Sequence, residues 1–422
     1  MSSTPAPAPI IAPSSTTRSS RVTAALAMTE LFHRHQAQTN PQPLGLEVAR
    51  AEGLYLYDAD GKRYADLISG LAVSNLGHRH PVVVAAIQAQ LARYLHVMPY
   101  GEFVQAPQVQ LAKHLAAALP DPLDTTYFVN SGAEAVEGAL KLAKRVTGRR
   151  QLVACHHSYH GSTYGALSVT GNPTKRTAFE PLLPEVDFIP FDELLALDKI
   201  TEQTAGVIIE TVQGDAGVRI PSAGWLQAVR KRCTEVGALL ILDEIQTGFG
   251  RTGTLFAFEQ FGVVPDVLCL GKAIGGGMPM GAFVSSQEHM HKLSHSPMLG
   301  HITTFGGHPV CCAAGLASLR VIQGDLLDEV AAKGARIVER LQHPLVREIR
   351  QIGLMLAIDL PSAELTYRVV ARCLERGMLT FYFLSCPASF RLAPPLTITM
   401  SEIDACCAII YEVLDEANAA AD

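Results

Sequence analysis

From residue 82 onward the chain alternates two patterns, and that alternation does most to narrow its fold. Five short runs are almost uniformly apolar: TTYFV (125–129), QLVAC (151–155), AGVIIE (205–210), ALLILD (238–243) and DVLCL (266–270). Stretches with helical periodicity accompany them, among them VVVAAIQAQLARYL (82–95), VQLAKHLAAAL (109–119) and AEAVEGALKLAKRV (133–146). A strand with one wet face alternates apolar and polar residues, whereas a strand covered on both faces need not. The pattern therefore predicts an α/β protein built on a mostly parallel sheet with helices on both sides.

The remainder divides around this core. Residues 1–21, MSSTPAPAPIIAPSSTTRSSR, are rich in Pro, Ser, Thr and Ala, so a disordered tail is expected. It carries Arg18 and Arg21 and no acid before Glu30, as organelle transit peptides do, but its prolines oppose the amphipathic helix of such peptides. Residues 22–66 predict a helix and a hairpin turning at Asp60-Gly61, both belonging to a smaller domain. A large domain over 67–324 follows, then a C-terminal small α+β domain over 325–422. In that last part LMLAIDL, LTFYF and FRLAPPLTIT read as strands, with helices in TYRVVARCLERG and SEIDACCAIIYEVLDEANAA. No run of about 20 apolar residues predicts a membrane span. A net charge of -6 without blocks of like charge offers no basic face for nucleic acid. The nine cysteines include no C-x-x-C and lie mostly in apolar surroundings, which predicts reduced thiols and a cytoplasmic location.

In open α/β sheets ligands bind beyond the carboxyl ends of the strands. Asp243 ends ALLILD, Glu210 ends AGVIIE, Lys272 follows DVLCLG and Ser131 follows TTYFVN. Ser131-Gly132-Ala133 opens a helix whose free N–H groups suit a phosphate. Ser131 and Glu134 also form an S-x-x-E capping box, which needs no ligand. The G-x-G-x-x-G at Gly248, Gly250 and Gly253 starts five residues past the strand-ending Asp243. It opens no clear helix, which argues against a dinucleotide site. The histidines at 78/80, 156/157/160 and 289/291/295 lack a cysteine or acid set of zinc spacing, so no metal is expected. Lys272 reads either as half of a buried ion pair or as an amine with a lowered pKa, ready for Schiff-base chemistry. Gly275-Gly276-Gly277 would let backbone approach a flat ligand, and Tyr159 is a candidate aromatic plate. A carbonyl cofactor with a phosphate and a ring nitrogen would use all of these parts.

Residues from about 45 to the end resemble the class III aminotransferases, pyridoxal-phosphate enzymes of fold type I. The matching segments are GHRHP, NSGAEAVEGALKLAKR, SYHGSTYGALSVTG, ETVQGDAGVRIP, LLILDEIQTGFGRTG, GKAIGGGMPMGA, TTFGGHP and RLAPPLTIT. In wording they are most similar to the acetylornithine, ornithine and putrescine branch. The resemblance implies pyridoxal 5'-phosphate as cofactor, with Lys272 as its Schiff-base lysine and Asp243 on the ring nitrogen. Gln246 would lie near the ring hydroxyl and Tyr159 would stack on the ring. Ser131, Gly132 and Ala133 would hold the phosphate, and His160 and Glu210 fall among the cofactor-binding positions. Thr304 would reach the cofactor of a second subunit, which implies a homodimer, with a tetramer as the larger option. Arg391 would bind a substrate carboxylate or, read structurally, form an ion pair. Asp215 stands where relatives carry the glutamate that masks this arginine.

Two departures bear on the substrate. Ser162 replaces the arginine usual after aromatic-His-Gly in acetylornithine and ornithine enzymes, and Tyr-His-Gly-Ser-Thr is similar to amine–pyruvate ω-transaminases. Asp215 is one methylene shorter than the usual glutamate. The expected reaction is therefore ping-pong transfer from an amine, diamine or ω-amino acid to pyruvate or 2-oxoglutarate. Acetylornithine/ornithine-type transfer and an aminomutase are the alternatives. A cofactor-binding regulator and a nicotinamide oxidoreductase are disfavoured by the intact lysine, aspartate and phosphate turn and by the glycine spacing.

Overall fold

The computed structural model describes residues 21–419; apart from Arg21, the tail expected over 1–21 lies outside the described residues. The first helix is Arg21–His35. Three antiparallel strands follow: β1 (Val48–Glu52), β2 (Tyr55–Asp58) and β3 (Arg63–Asp66). Asp58 Oδ1 accepts from the N–H groups of Asp60 and Lys62 and so closes the β2–β3 turn. Gly61 supplies the positive φ of +84° that this turn needs.

The central sheet has seven strands: β4 (Thr125–Val129), β5 (Gln151–Cys155), β6 (Val186–Ile189), β7 (Thr204–Glu210), β8 (Leu239–Asp243), β9 (Val267–Leu270) and β10 (Gly281–Ser285). Their order is β4-β10-β9-β8-β7-β5-β6. Strands β5 to β9 pair in parallel. Every residue of β7, β8 and β9 is buried, which is why their sequences show no alternation. Val207 and Ile209 enter the core on one face with Trp225 and Leu240, while Ile208 enters the other with Leu142 and Phe283.

β6 and β10 lie outside the five runs expected as strands. β6 is an edge strand with Asp187 exposed, and GAFVS in β10 offers only a brief apolar run. β10 is antiparallel to both of its neighbours. Only residues 271–280 connect β9 to β10, whereas a parallel return needs a crossover of about a dozen residues or more.

A third, antiparallel sheet comprises β11 (Glu348–Ile352), β12 (Met355–Asp359), β14 (Phe381–Tyr382) and β15 (Ser389–Leu392) in the order β11-β12-β15-β14. The expected strand FRLAPPLTIT stops at Leu392, because Pro394 and Pro395 have no N–H for a ladder. Between these strands β13 (Met378–Leu379) leaves the sheet and pairs in parallel with β3, Met378 opposite Ala65. One apolar cluster accordingly joins Leu54, Ala65 and Leu67 to Val330, Ile358, Phe390 and Ile410.

The stretch Pro309–Arg340 is long and apolar enough to cross a membrane by composition, but half of its most apolar window is buried inside the fold. It packs on Pro81–Leu91 and Ala106–Ala118, and Gly324 departs from helical geometry midway.

Candidate active site

The carboxyl ends of β7 and β8 bring two acids side by side, because Glu210 and Asp243 are register partners. Both are buried. Asp243 Oδ2 lies 2.7 Å from His160 Nδ1, and its Oδ1 accepts from the Ile245 N–H at 3.0 Å. A carboxylate can only accept, so His160 donates from Nδ1. The other ring nitrogen of His160, Nε2, is buried and has no partner among the described residues.

Glu210 uses both oxygens on backbone. Oε1 accepts from the Tyr159 N–H and Oε2 from the Gly214 N–H, each at 2.8 Å. It therefore ties the loop after β5 to the loop after β7. Burial pushes its pKa up to about 7, with His160 and the two N–H groups opposing and Asp243 adding to the rise.

Lys272 stands two residues beyond β9 with φ +49°, a left-handed backbone rare for a residue with a side chain. Strain of this kind persists where the surroundings over-determine it and recurs at functional sites. Burial lowers the pKa of its amine, against the pull of Asp243 and Glu210. Among the described residues its Nζ makes no hydrogen bond or ion pair.

The helix Gly132–Thr147 points its N-terminus at the same space. Ser131 caps it by accepting from the Glu134 N–H at 3.2 Å. Glu134 reaches back to the N–H of Asn130 at 2.7 Å, one residue short of the expected capping box. Of the first four N–H groups, which have no partner in their own helix, the cap takes one and leaves others for an anion. A Cβ on Gly132 would lie 2.8 Å from Ile245, and one on Gly281 would lie 2.1 Å from the Ser131 carbonyl, so this turn is seated by glycines.

These parts line a cavity of about 480 Å³ that takes in Gly132, Ala133, Tyr159, His160, Glu210, Asp215, Asp243, Gln246 and Lys272. A second cavity of about 660 Å³ shares Tyr159, Asp215, Gln246 and Lys272 and adds Arg391 and Lys175. Arg391 lies on β15, and its guanidinium carbon is 4.3 Å from the centre of the Phe383 ring. Its Nε is buried and has no partner among the described residues. Its single contact with Asp215 is 3.5 Å long.

Three expected positions stand apart from this assembly. Ser131 is exposed at the edge and lines neither cavity. Thr304 is also exposed and lines neither. Gly275, Gly276 and Gly277 line neither cavity. A Cβ on Gly276 would meet the Ala314 carbonyl and the Ser318 side chain at 3.0 Å, so Gly276 serves packing on the Pro309–Val321 helix. Gly250 likewise packs against Leu327 and Leu396 rather than opening a helix. Lys175 and Ser385 were not among the expected residues, and both bind Asp215.

The donor set suits one kind of guest. N–H groups at a helix start fit a phosphate, a buried carboxylate fits a protonated ring nitrogen, an exposed aromatic face fits a planar ring, and a desolvated amine fits an aldehyde. With a mostly parallel sheet carrying the acid and the lysine at adjacent strand ends, the protein is a pyridoxal-phosphate enzyme of fold type I. The family model for class III aminotransferases matches residues 36–414, and the chain belongs to that family.

Its relatives agree. An acetylornithine aminotransferase of Methanosarcina acetivorans is 42% identical over 386 residues, covering 89% of this chain and 92% of that one. A putrescine aminotransferase of Pectobacterium atrosepticum is 41% identical over 379 residues, covering 85% and 80%. Among solved structures, an (S)-enantioselective omega-transaminase from Thermomicrobium roseum superposes with a TM-score of 0.85 at 31% identity, covering 93% of this chain and 99% of that one. The protein is thus a pyridoxal-phosphate-dependent aminotransferase.

Proposed function

We propose that this aminotransferase moves an amino group from an amine, diamine or ω-amino acid to a 2-oxo acid such as pyruvate or 2-oxoglutarate, by ping-pong exchange. The observation that carries the reading is the Arg391 guanidinium, which lines the cavity beside Lys272 and is held there by a single 3.5 Å contact with Asp215. A carboxylate can take two parallel hydrogen bonds from such a fork. Ser162 supports a single-carboxylate acceptor, since it places a neutral side chain at the mouth of both cavities.

Bound pyridoxal phosphate supplies an aldehyde that condenses with amines and a ring that takes up electrons as a C–H bond breaks. Lys272 would hold the aldehyde carbon, and its Nζ would take and return the proton on the substrate carbon that bears nitrogen. Asp243 would keep a proton on the ring nitrogen, oriented by His160. Tyr159 would cover the ring face and Gln246 its hydroxyl edge. The Ser131–Ala133 turn would bind the phosphate, and Glu210 would fix the loop that carries Tyr159.

The active assembly is read as a homodimer, with a tetramer of two such dimers as the larger option, in which Thr304 completes a second copy's site. An exposed apolar strip supports this: Val104 is 94% exposed, and Met98, Phe103, Ile302 and Phe305 accompany it. We place the enzyme in the cytoplasm, in keeping with nine free cysteines. We further read residues 67–324 as the cofactor domain, with 22–66 and 325–422 forming the smaller one.

Acetylornithine-type transfer is the second reading, favoured by the 42% identity to the Methanosarcina enzyme. A donor panel run against pyruvate and 2-oxoglutarate, followed by the colour of the cofactor, tests both. Turnover of diamines or ω-amino acids with pyruvate is expected; exclusive use of acetylornithine with 2-oxoglutarate would replace the first reading by the second.

A further inference from the structure

Asp215 stands between two cations supplied by distant segments. Lys175 comes from the short Pro173–Arg176 helix, and its Nζ lies 2.6 Å from Asp215 Oδ2. Ser385 Oγ, from the loop before β15, donates to the same oxygen at 2.6 Å. Arg391 reaches only the other oxygen, Oδ1, at 3.5 Å. Charge-assisted N–H···O bonds are strong near 2.7–2.9 Å, so the Lys175 contact is the strong one and the Arg391 contact is marginal.

The arrangement is braced from behind. Asn172 caps the Lys175 helix by accepting from the Thr174 N–H at 3.0 Å, and its Nδ2 donates to Ser385 Oγ at 2.8 Å. Burial opposes ionisation of Asp215, but Lys175, Ser385 and Arg391 outweigh it and hold the carboxyl below its ordinary range. Arg391, for its part, is seated on the Phe383 ring.

We infer that Lys175 is a positioning residue for substrate carboxylates: together with Ser385 it draws Asp215 away from Arg391 and keeps the guanidinium open. The inference deepens the carboxylate-clamp reading of Arg391 and rests on it. An incoming carboxylate then displaces only one long hydrogen bond. A donor without a carboxylate leaves Arg391 as it stands in the free enzyme and gains nothing from it. The device therefore favours ω-amino acids over plain amines as donors.

Binding of propanoate, an unreactive carboxylate, to the holoenzyme by titration calorimetry tests this without turnover. Lys175→Met frees Asp215 to close on Arg391, and propanoate affinity falls about tenfold. Lys175→Arg restores it. Ser385→Ala loosens the same oxygen without changing charge and weakens binding by about threefold. In the K175M/D215N double variant the Lys175 effect vanishes relative to D215N alone. Unchanged affinity in both K175M and S385A overturns the inference. So does a K175M loss that persists in the D215N background, which would make Lys175 a direct ligand of the carboxylate. Unchanged affinity in Arg391→Ala, by contrast, removes the clamp reading itself.

Discussion

Asp243 and Asp215 are both largely buried aspartates that line the cavity of Lys272, yet they are held in opposite ways. Asp243 ends a strand flanked by β7 and β9, and its contacts come from His160 and its own turn. Asp215 lies on a loop and is gripped by Lys175, Ser385 and, weakly, Arg391, which stand 40, 170 and 176 residues away. The first is placed by the register of a parallel sheet. The second is placed by loops and a strand of another sheet converging. On the roles proposed above, the contrast teaches that groups serving the cofactor sit on a rigid frame, while groups meeting the substrate sit on parts that can be altered singly.

Substitutions can break or sharpen that contrast. Lys272→Ala has the largest expected effect: turnover falls by more than about a thousandfold, and the absorbance of the lysine-bound cofactor disappears on spectroscopy. Asp243→Asn follows, cutting kcat about a hundredfold or more with every donor, because the frame serves all substrates alike. Steady-state rates with two unlike donors check that uniformity. Arg391→Ala acts selectively. The KM of the acceptor acid rises roughly thirtyfold, while a carboxylate-free amine is little affected; an equal rise for both would dissolve the distinction drawn above.

The smallest effect concerns the frame's second acid. Burial raises the folded pKa of Glu210 to about 7, above its ordinary 4.5. A raised carboxyl contributes stability that is present below the unfolded value and lost as pH rises through the folded one. The stability advantage of wild type over Glu210→Gln should therefore shrink between about pH 4.5 and about pH 7, by at most roughly 3 kcal/mol. Denaturant unfolding of both chains across that range measures it.

The sequence made the frame legible and the selecting parts obscure, for physical reasons. Strands buried on both faces write themselves as apolar runs, so β7, β8 and β9 could be read directly, with Glu210, Asp243 and Lys272 at their ends. β10 could not, since its antiparallel course follows from a short connection rather than from composition. The left-handed backbone of Lys272 has no counterpart in residue type, because lysine rarely adopts it. Asp215 and Arg391 were expected to face each other from resemblance, but the loosened contact depends on Lys175. Nothing in GNPTKRT marks that lysine, as its partner comes from another loop. The triple glycine is ambiguous in sequence because a positive φ, as at Gly276, serves helix packing as well as ligand approach.

The pairing of β3 with β13 has a consequence for biosynthesis. A ribosome releases residues 63–66 more than three hundred residues before their neighbour at 378–379 exists. Leu54, Ala65 and Leu67 wait longer still for the apolar cover that Phe390 and Ile410 provide. The nascent hairpin must wait, sticky and half-wrapped, while the central sheet forms behind it, and chaperone demand should peak in that interval.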